Sequence, residues 1–406
     1  MLMHLTLLAV GSRGDVQPFA ALALELSRRG HTVTLAAPTD LRGLVERFGV
    51  SFAPLRADYL ELASSPQGQA AVRGDPRAAL RLMREVVRPG ARQLLQDAHA
   101  AAAGADALVF HPKALAGRHL AEWLGVPAWV FAPAPLLVPT RTFVAAGTAT
   151  ASLGPLNRLT YALAPLAEAP LRAEIRAWRE SLGLSSDFSS NPRRAGTRTL
   201  PVLHAYSRLL SPAPADWDAG AHVTGFWTLS PEAEPPLSPE VTAFLDAGPP
   251  PVSVGFGSMG VRDGGHLARQ VAGALRRVGR RGVLLGLPPV DGDDMLSVPG
   301  APHGRLFPRV AATVHHGGAG TTAAGLRAGV PALPVPHGLD QPFWAARVRE
   351  AGVGVGLPLK RLNTDTLGTA LQAVLEPEVQ RRASVLGTLL SAENGAARAA
   401  DLILRG

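Results

Sequence analysis

The chain has 406 residues, enough for two domains at the usual domain size. It contains no Cys, which excludes a disulfide framework, thiolate metal sites and a Cys nucleophile. With 47% apolar and 18% charged residues it has ample core material, so global disorder is excluded. The net charge is +8, and Lys113 and Lys360 are the only lysines among 40 basic residues. That Arg bias, with abundant Ala, Gly and Pro, reads as a GC-rich coding background. No Lys/Arg run is interleaved with aromatics, so nucleic-acid binding is not expected.

The first ten residues lack a basic head and a small-residue cleavage site, and read as a strand rather than a signal peptide. Leu5–Val10 is a continuous apolar run, as in a strand buried on both faces. Gly11–Asp15 breaks it, Pro18 suits a first helical turn and Gly30 a helix stop. Thr32–Ala37 is the next strand. Leu41, Leu44, Val45 and Phe48 then take helical spacing behind a Thr39/Asp40 cap. Ala105–Phe110 and Pro127–Phe131 continue the strand series. This alternation predicts a doubly wound parallel sheet.

The longest apolar stretch, Val126–Val138, is cut by Pro127, Pro133 and Pro135 and is too short to span a bilayer. A cytoplasmic protein is expected. Residues 126–170 are nevertheless poor in charge, which suits an apolar cleft and also allows a peripheral contact with membrane. Residues 135–200 read as helices and loops, with Leu171, Ile175, Trp178 and Leu182 on one helical stripe. Prolines then crowd between Ser230 and Pro251, marking a stiff linker with a short helix inside it. A second α/β series follows, with strands expected at Val252–Phe256, Gly282–Gly286, Ala312–His316, Pro331–Val335 and Val353–Gly356. Ligands of such folds bind at the carboxyl ends of strands, so a cleft between the two domains is the expected site.

The richest motif runs from Val314 to Ala323, VHHGGAGTTA. A strand enters a glycine-rich turn and a helix follows, which suits a diphosphate: backbone N–H groups and the helix dipole face the anion. His316 adds a ring N–H, and Thr321 and Thr322 add hydroxyls. A plain strand-to-helix turn is the structural alternative. Gly318, Gly320 and Ala323 also fit the dinucleotide spacing G-x-G-x-x-A, with Asp340 where a ribose-binding acid would stand, so a nicotinamide enzyme competes.

Asp340 and Gln341 follow a strand, and an adjacent acid and amide there can hold sugar hydroxyls. A helix N-cap at Asp340 is the alternative. Asp15, in Gly11-Ser12-Arg13-Gly14-Asp15, would face the cleft as a general base, or simply cap the next helix. Its ordinary pKa near 4 demands burial or a late proton transfer. Gly257-Ser258 permits close approach and a hydroxyl contact to phosphate. Asp291-Gly292-Asp293-Asp294 reads as an exposed acidic loop rather than a metal site.

Together and in this order, these motifs resemble the nucleotide-sugar-dependent glycosyltransferases of family 1, closest to the bacterial antibiotic and sterol subset. The likeness covers nearly the whole chain. It is carried by Gly11–Pro18, Pro112–Gly117, Gly257-Ser258-Met259, Leu306-Phe307-Pro308-Arg309, His315–Thr322 and Asp340-Gln341-Pro342. The resemblance implies an α/β chain of GT-B fold, two doubly wound Rossmann-like domains with parallel sheets facing across a cleft. Residues 1–225 would bind the acceptor, 226–250 link, and 251–378 bind the donor. A final helix over about 379–406 would return to the first domain.

The resemblance further implies inverting transfer without a metal or other cofactor. The sugar would move from a UDP- or dTDP-sugar to a hydroxyl of a lipophilic small molecule. Asp15 matches the base, and Ser12 and Gly14 its cleft loop. Ser258, His316, Gly318, Gly320 and Thr321 match donor-diphosphate contacts, and Asp340 and Gln341 sugar contacts. His303-Gly304-Arg305 stands where an aromatic partner of the nucleotide base is usual, and Ala324 replaces a ribose-binding Glu, so the choice of uracil or thymine stays open. So does the oligomeric state. An epimerase or hydrolase on the same fold, an NAD(P)-dependent oxidoreductase and a non-catalytic auxiliary partner are the competing readings.

Overall fold

The computed structural model describes residues 2–56, 76–148, 152–257 and 263–405. The first sheet is built from β1 (His4–Leu8), β2 (Thr32–Pro38), β3 (Ser51–Leu55), β4 (Ala107–Phe110) and β5 (Ala128–Ala132). A small hairpin of β6 (Arg194–Ala195) and β7 (Arg198–Thr199) precedes β8 (Val202–His204) and β9 (Ala221–Val223). Seven strands lie in the order β3-β2-β1-β4-β5-β8-β9, each pair parallel. Strand alternation sends Leu5 and Leu7 into one buried layer and Leu8 into the other, which is why β1 is largely apolar; the buried Thr6 donates to Ala101 O.

The second sheet holds β10 (Val252–Gly255), β11 (Gly282–Leu285), β12 (Met295–Val298), β13 (Ala312–His315) and β14 (Ala332–Pro334), again all parallel, in the order β12-β11-β10-β13-β14. Both sheets therefore repeat one winding order. The direction of winding reverses beside β1 in the first and beside β10 in the second. The crevice at such a reversal opens at the strands' carboxyl ends.

Several expectations need correction. The first helix, Arg13–Arg28, begins five residues before Pro18, because Ser12 and Asp15 start it. Thr39 and Asp40 cap nothing; they lie in a 3-10 turn ahead of the short helix Arg42–Glu46. Val353–Gly356 makes one bridge, Gly354 to Ala332, rather than a strand. The expected final helix is two helices, Pro377–Ser391 and Gly395–Arg405. The former packs on helix Ala319–Arg327 of the second domain, and only the latter crosses back, packing on Arg13–Arg28. Ala396, Ala399, Ala400 and Ile403 enter the first domain's core, where burying Ile403 contributes about 1.5–3 kcal/mol. An apolar cluster joins the domains around Trp344, whose ring meets Tyr206 and Phe226.

Candidate functional site

Asp15 sits in the first turn of helix Arg13–Arg28, just beyond β1. Its Oδ2 accepts from the Ser12 backbone N–H at 2.9 Å and from Ser12 Oγ at 3.2 Å. Half of the carboxylate therefore does cap the helix. Gly11 makes this possible: its φ is +132°, and a Cβ there would overlap Asp15 Oδ2. Oδ1 points the other way. Lys113 Nζ lies 2.9 Å from it and His111 Nε2 3.3 Å.

His111 and Lys113 come from the end of β4, the strand beside β1 at the winding reversal. His111 is buried, and its Nδ1 accepts from the Lys113 backbone N–H at 3.0 Å. A neutral ring thus carries its proton on Nε2, close to Asp15 Oδ1 but off the line of a well-formed hydrogen bond. Burial pushes the Asp15 carboxyl up, but the adjacent His111 ring and the Lys113 ammonium outweigh it and hold it well below the usual carboxylate range. Burial lowers His111 in turn, partly offset by Asp15. Ser12 anchors the carboxylate, whereas Gly14 is exposed and a Cβ there would meet only Ser12 Oγ, at 3.8 Å.

Across the cleft, β13 runs into the glycine turn. His315 Nδ1 accepts from Gly317 N–H at 3.0 Å, closing the turn. Gly318 is the N-cap of helix Ala319–Arg327, and a Cβ on it would crowd His316 Nε2. A Cβ at Gly320 would project into open space at the helix's first turn. Thr321 lies in the same turn, half-buried, and Thr322 is fully buried. Burial lowers the pKa of His315 to about 3 and that of His316 as well, so both rings are neutral. Among the described residues, His315 Nε2, His316 Nδ1, Thr322 Oγ1 and the nearby His337 Nε2 are buried without a hydrogen-bond partner. Four such atoms around one turn are a strong departure from ordinary interiors.

Asp340 stands at the N-cap position of helix Gln341–Glu350 but makes no side-chain cap. Its Oδ2 accepts from Trp344 Nε1 at 3.1 Å. Burial raises its pKa, the Trp344 hydrogen bond opposes this, and the charges of Asp15 and Lys113 also reach it. Helix Arg13–Arg28, which carries Asp15, touches helix Ala319–Arg327, which follows the glycine turn, so the two motifs face one cleft. Gln341 Oε1 accepts from the backbone N–H groups of His337 (2.7 Å) and Gly338 (3.3 Å), so its oxygen holds the loop. Ser258 lies outside the described residues.

His303 stacks on Phe307 at 4.4 Å and 16° between planes. Burial, with the charges of Arg13 and His316, lowers it to about 4. A flat neutral ring thus occupies the place where the sequence reading missed an aromatic. Glu234, in the linker, bridges the domains: Oε2 accepts from Gly304 N–H at 2.9 Å and Oε1 from Gln17 Nε2 at 3.4 Å. Neither His111 nor Glu234 was singled out from sequence. The winding order flags His111, because it follows the strand next to β1. Asp294 pairs with Arg276, and no group of acids or histidines among the described residues could hold a metal.

Two family models match the chain: the glycosyltransferase family 28 N-terminal domain over residues 5–140, and the erythromycin biosynthesis protein CIII-like C-terminal domain over 290–397. The O-mycaminosyltylonolide 6-deoxyallosyltransferase of Streptomyces fradiae is 37% identical, over 99% of this chain and 97% of its own. Glycosyltransferase GtfE of Amycolatopsis orientalis is 36% identical over the same shares. The sterol 3-beta-glucosyltransferase UGT80B1 of Arabidopsis thaliana is 32% identical over 99% of this chain and 68% of its own. Among solved structures, the kitacinnamycin glycotransferase superposes with a TM-score of 0.73 at 22% identity, covering 100% and 98% of the two chains. The glycosyltransferase SsfS6 of Streptomyces sp. SF2575, solved with thymidine diphosphate, gives 0.63 at 21% identity over 100% of both.

Proposed function

The chain belongs to the GT-B glycosyltransferases of the antibiotic and sterol type, and from that premise we propose an inverting, metal-independent transfer from a UDP- or dTDP-sugar to a hydroxyl of a lipophilic small molecule. The observation that carries the donor half is the cluster of unpartnered buried polar atoms at the His315–Thr322 turn. A diphosphate resting there meets the N–H groups of the first helical turn, the positive end of the dipole and neutral ring donors. Residues 251–378 thus hold the donor, and residues 1–225 the acceptor, in the cytoplasm. With the family assigned, the dinucleotide-like spacing of Gly318, Gly320 and Ala323 carries no separate reading.

The acceptor oxygen attacks the anomeric carbon from the face opposite the diphosphate. The new C–O bond forms as the bond to phosphate breaks, and the electron pair leaves with the diphosphate. His316, Gly318, Gly320 and Thr321 stabilise that charge. Ser258 is assigned to the same diphosphate by the resemblance alone. The acceptor proton goes to Asp15 Oδ1, in a carboxylate positioned by Ser12, Lys113 and His111; Gly14 belongs to the same cleft loop. Because Asp15 is a weak base, transfer comes late, when the attacking oxygen has become strongly acidic. The same low pKa returns the proton to water readily. Asp340 holds sugar hydroxyls from the other side, and Gln341 shapes the loop that presents them.

The test is a panel of UDP- and dTDP-sugars in calorimetry, then mass-spectrometric screening of apolar alcohols and phenols with each donor that binds. Donor binding, glycosylated product of inverted anomeric configuration and full turnover in a chelator are expected. Retained configuration, or activity lost to chelation and restored by a divalent ion, would overturn the mechanism.

A further inference from the structure

Residues 152–163 are turned inside out relative to an ordinary surface helix. Gly154–Ala167 is a run of 3-10 turns, in which residues three apart lie on one edge. Leu153, Leu156 and Leu159 share such an edge and are 49%, 59% and 65% exposed, with Leu163 beside them at 51%. The polar residues point inward instead. Asn157 is fully buried, taking the Leu153 N–H at 2.7 Å and donating to Arg141 O at 2.8 Å. Thr160 Oγ1 accepts from Ala145 N–H at 2.8 Å and donates to Asn157 O at 2.6 Å. The inner face is thereby committed to the loop 141–145, whose Phe143 meets Phe343 of the second domain at the cleft. Among the described residues the outer face has no occupant.

We propose that this leucine face lies on an anionic lipid surface, seated in the headgroup region rather than spanning. Charge complementarity selects this occupant. The only charged residue from 152 to 163 is Arg158, which is exposed, and the exposed Arg141 flanks it. The nearby exposed acid, Asp216, accepts from Thr140 Oγ1 and the Arg141 N–H and keeps its negative charge beside Arg158, so the two arginines leave this rim with a net charge of about +1. Leucines with arginines at the rim are the composition of an interfacial segment. A second copy fits poorly: a two-fold contact would set Arg158 against the same patch of the other copy. The outward residues also lack the aromatics that protein interfaces favour, since Tyr161 is turned inward. No helix among the described residues is long and apolar enough to cross a membrane, so the contact is peripheral. The lipophilic acceptor proposed above is not a premise of this contact.

The experiment is co-sedimentation of the full chain with phosphatidylcholine vesicles, with and without phosphatidylglycerol, at low and high salt. Binding to the anionic vesicles, weakened by salt, is expected. Leu156→Ser/Leu159→Ser/Leu163→Ser should bind about tenfold more weakly, while Arg158→Glu should lose the preference for the anionic lipid. Calorimetric binding of nucleoside diphosphate, unchanged in each variant, confirms folding and separates this outcome from failure of the donor assignment. Should the triple variant not fold, Arg158→Glu alone decides. Absence of wild-type binding at low salt, or equal binding by the triple variant, overturns the proposal. So does a dimer in sedimentation velocity that the triple variant abolishes.

Discussion

The two sides of the cleft solve opposite electrostatic problems. On the first domain, Asp15 spends one oxygen on Ser12 and the other on Lys113 and His111, so its charge is compensated within the protein. On the second, the turn after β13 leaves three buried polar atoms without partners, with His337 Nε2 a fourth nearby, and keeps its histidines neutral. A self-compensated carboxylate is held rigidly in one geometry. An uncompensated set of donors pays a standing desolvation cost that an anion relieves. The comparison assigns preorganisation for chemistry to one side and ligand capture to the other.

The sharpest way to break that division is Asp15→Asn. Turnover should fall about 10²–10⁴-fold while calorimetric donor affinity holds; an equal loss in both would erase the distinction. Next in size, His316→Ala should weaken nucleoside diphosphate binding by about 10–100-fold, the worth of a hydrogen bond to a charged group. Unchanged affinity would remove the turn as the anion site. A smaller effect is expected from Lys113→Met. Lys113 lowers the Asp15 pKa, so its removal lets that pKa rise and moves the acid limb of the kcat/KM profile to higher pH. An unmoved limb would show that Asp15 does not set it.

His204 supplies the control, because it too is buried with both ring nitrogens unpartnered, stacked on Trp217 at the end of β8 rather than in either motif. Burial lowers its pKa from 6.5 to about 3. Below pH 6.5 the unfolded chain takes up a proton that the folded ring refuses, so stability falls with pH down to about 3. The slope for one such group is about 1.4 kcal/mol per pH unit. His204→Phe should flatten that slope in denaturant titrations and leave donor binding alone. A loss of donor affinity would mean that unpartnered atoms here do not discriminate ligand sites from mere burial.

Much of this was legible in the residues. Apolar runs such as Leu7–Val10 are continuous because both faces are buried, and that pattern needs no tertiary knowledge. Short edge strands were not legible: Met295–Val298 follows an acidic Gly-rich loop and has only one neighbour, so its local pattern is weak. The split after Ser391 was legible in principle, since Asn394-Gly395 is a turn signal between a Leu-containing and an Ala-rich helical stretch, but the sequence reading ran one helix through it. Asp15, His316 and Asp340 stood out by motif. His111 did not, since its role comes from β4 lying next to β1, a contact across about a hundred residues. Gln341 was expected at the sugar; what sequence did not foretell is that its oxygen also holds the loop, because two backbone N–H groups there need an acceptor.

Helix Gly395–Arg405 carries a consequence for how the molecule is made. It supplies four core residues to the first domain, and Arg29 reaches Asp401 at 2.6 Å. On the ribosome, the last strand of that domain emerges well before this helix is synthesised. At usual elongation rates the interval is roughly ten to thirty seconds. Through that time the layer formed by Leu5, Leu7 and Val33 lacks part of its cover. The half of the molecule translated first is therefore completed last, and the second domain must fold beside an unfinished neighbour.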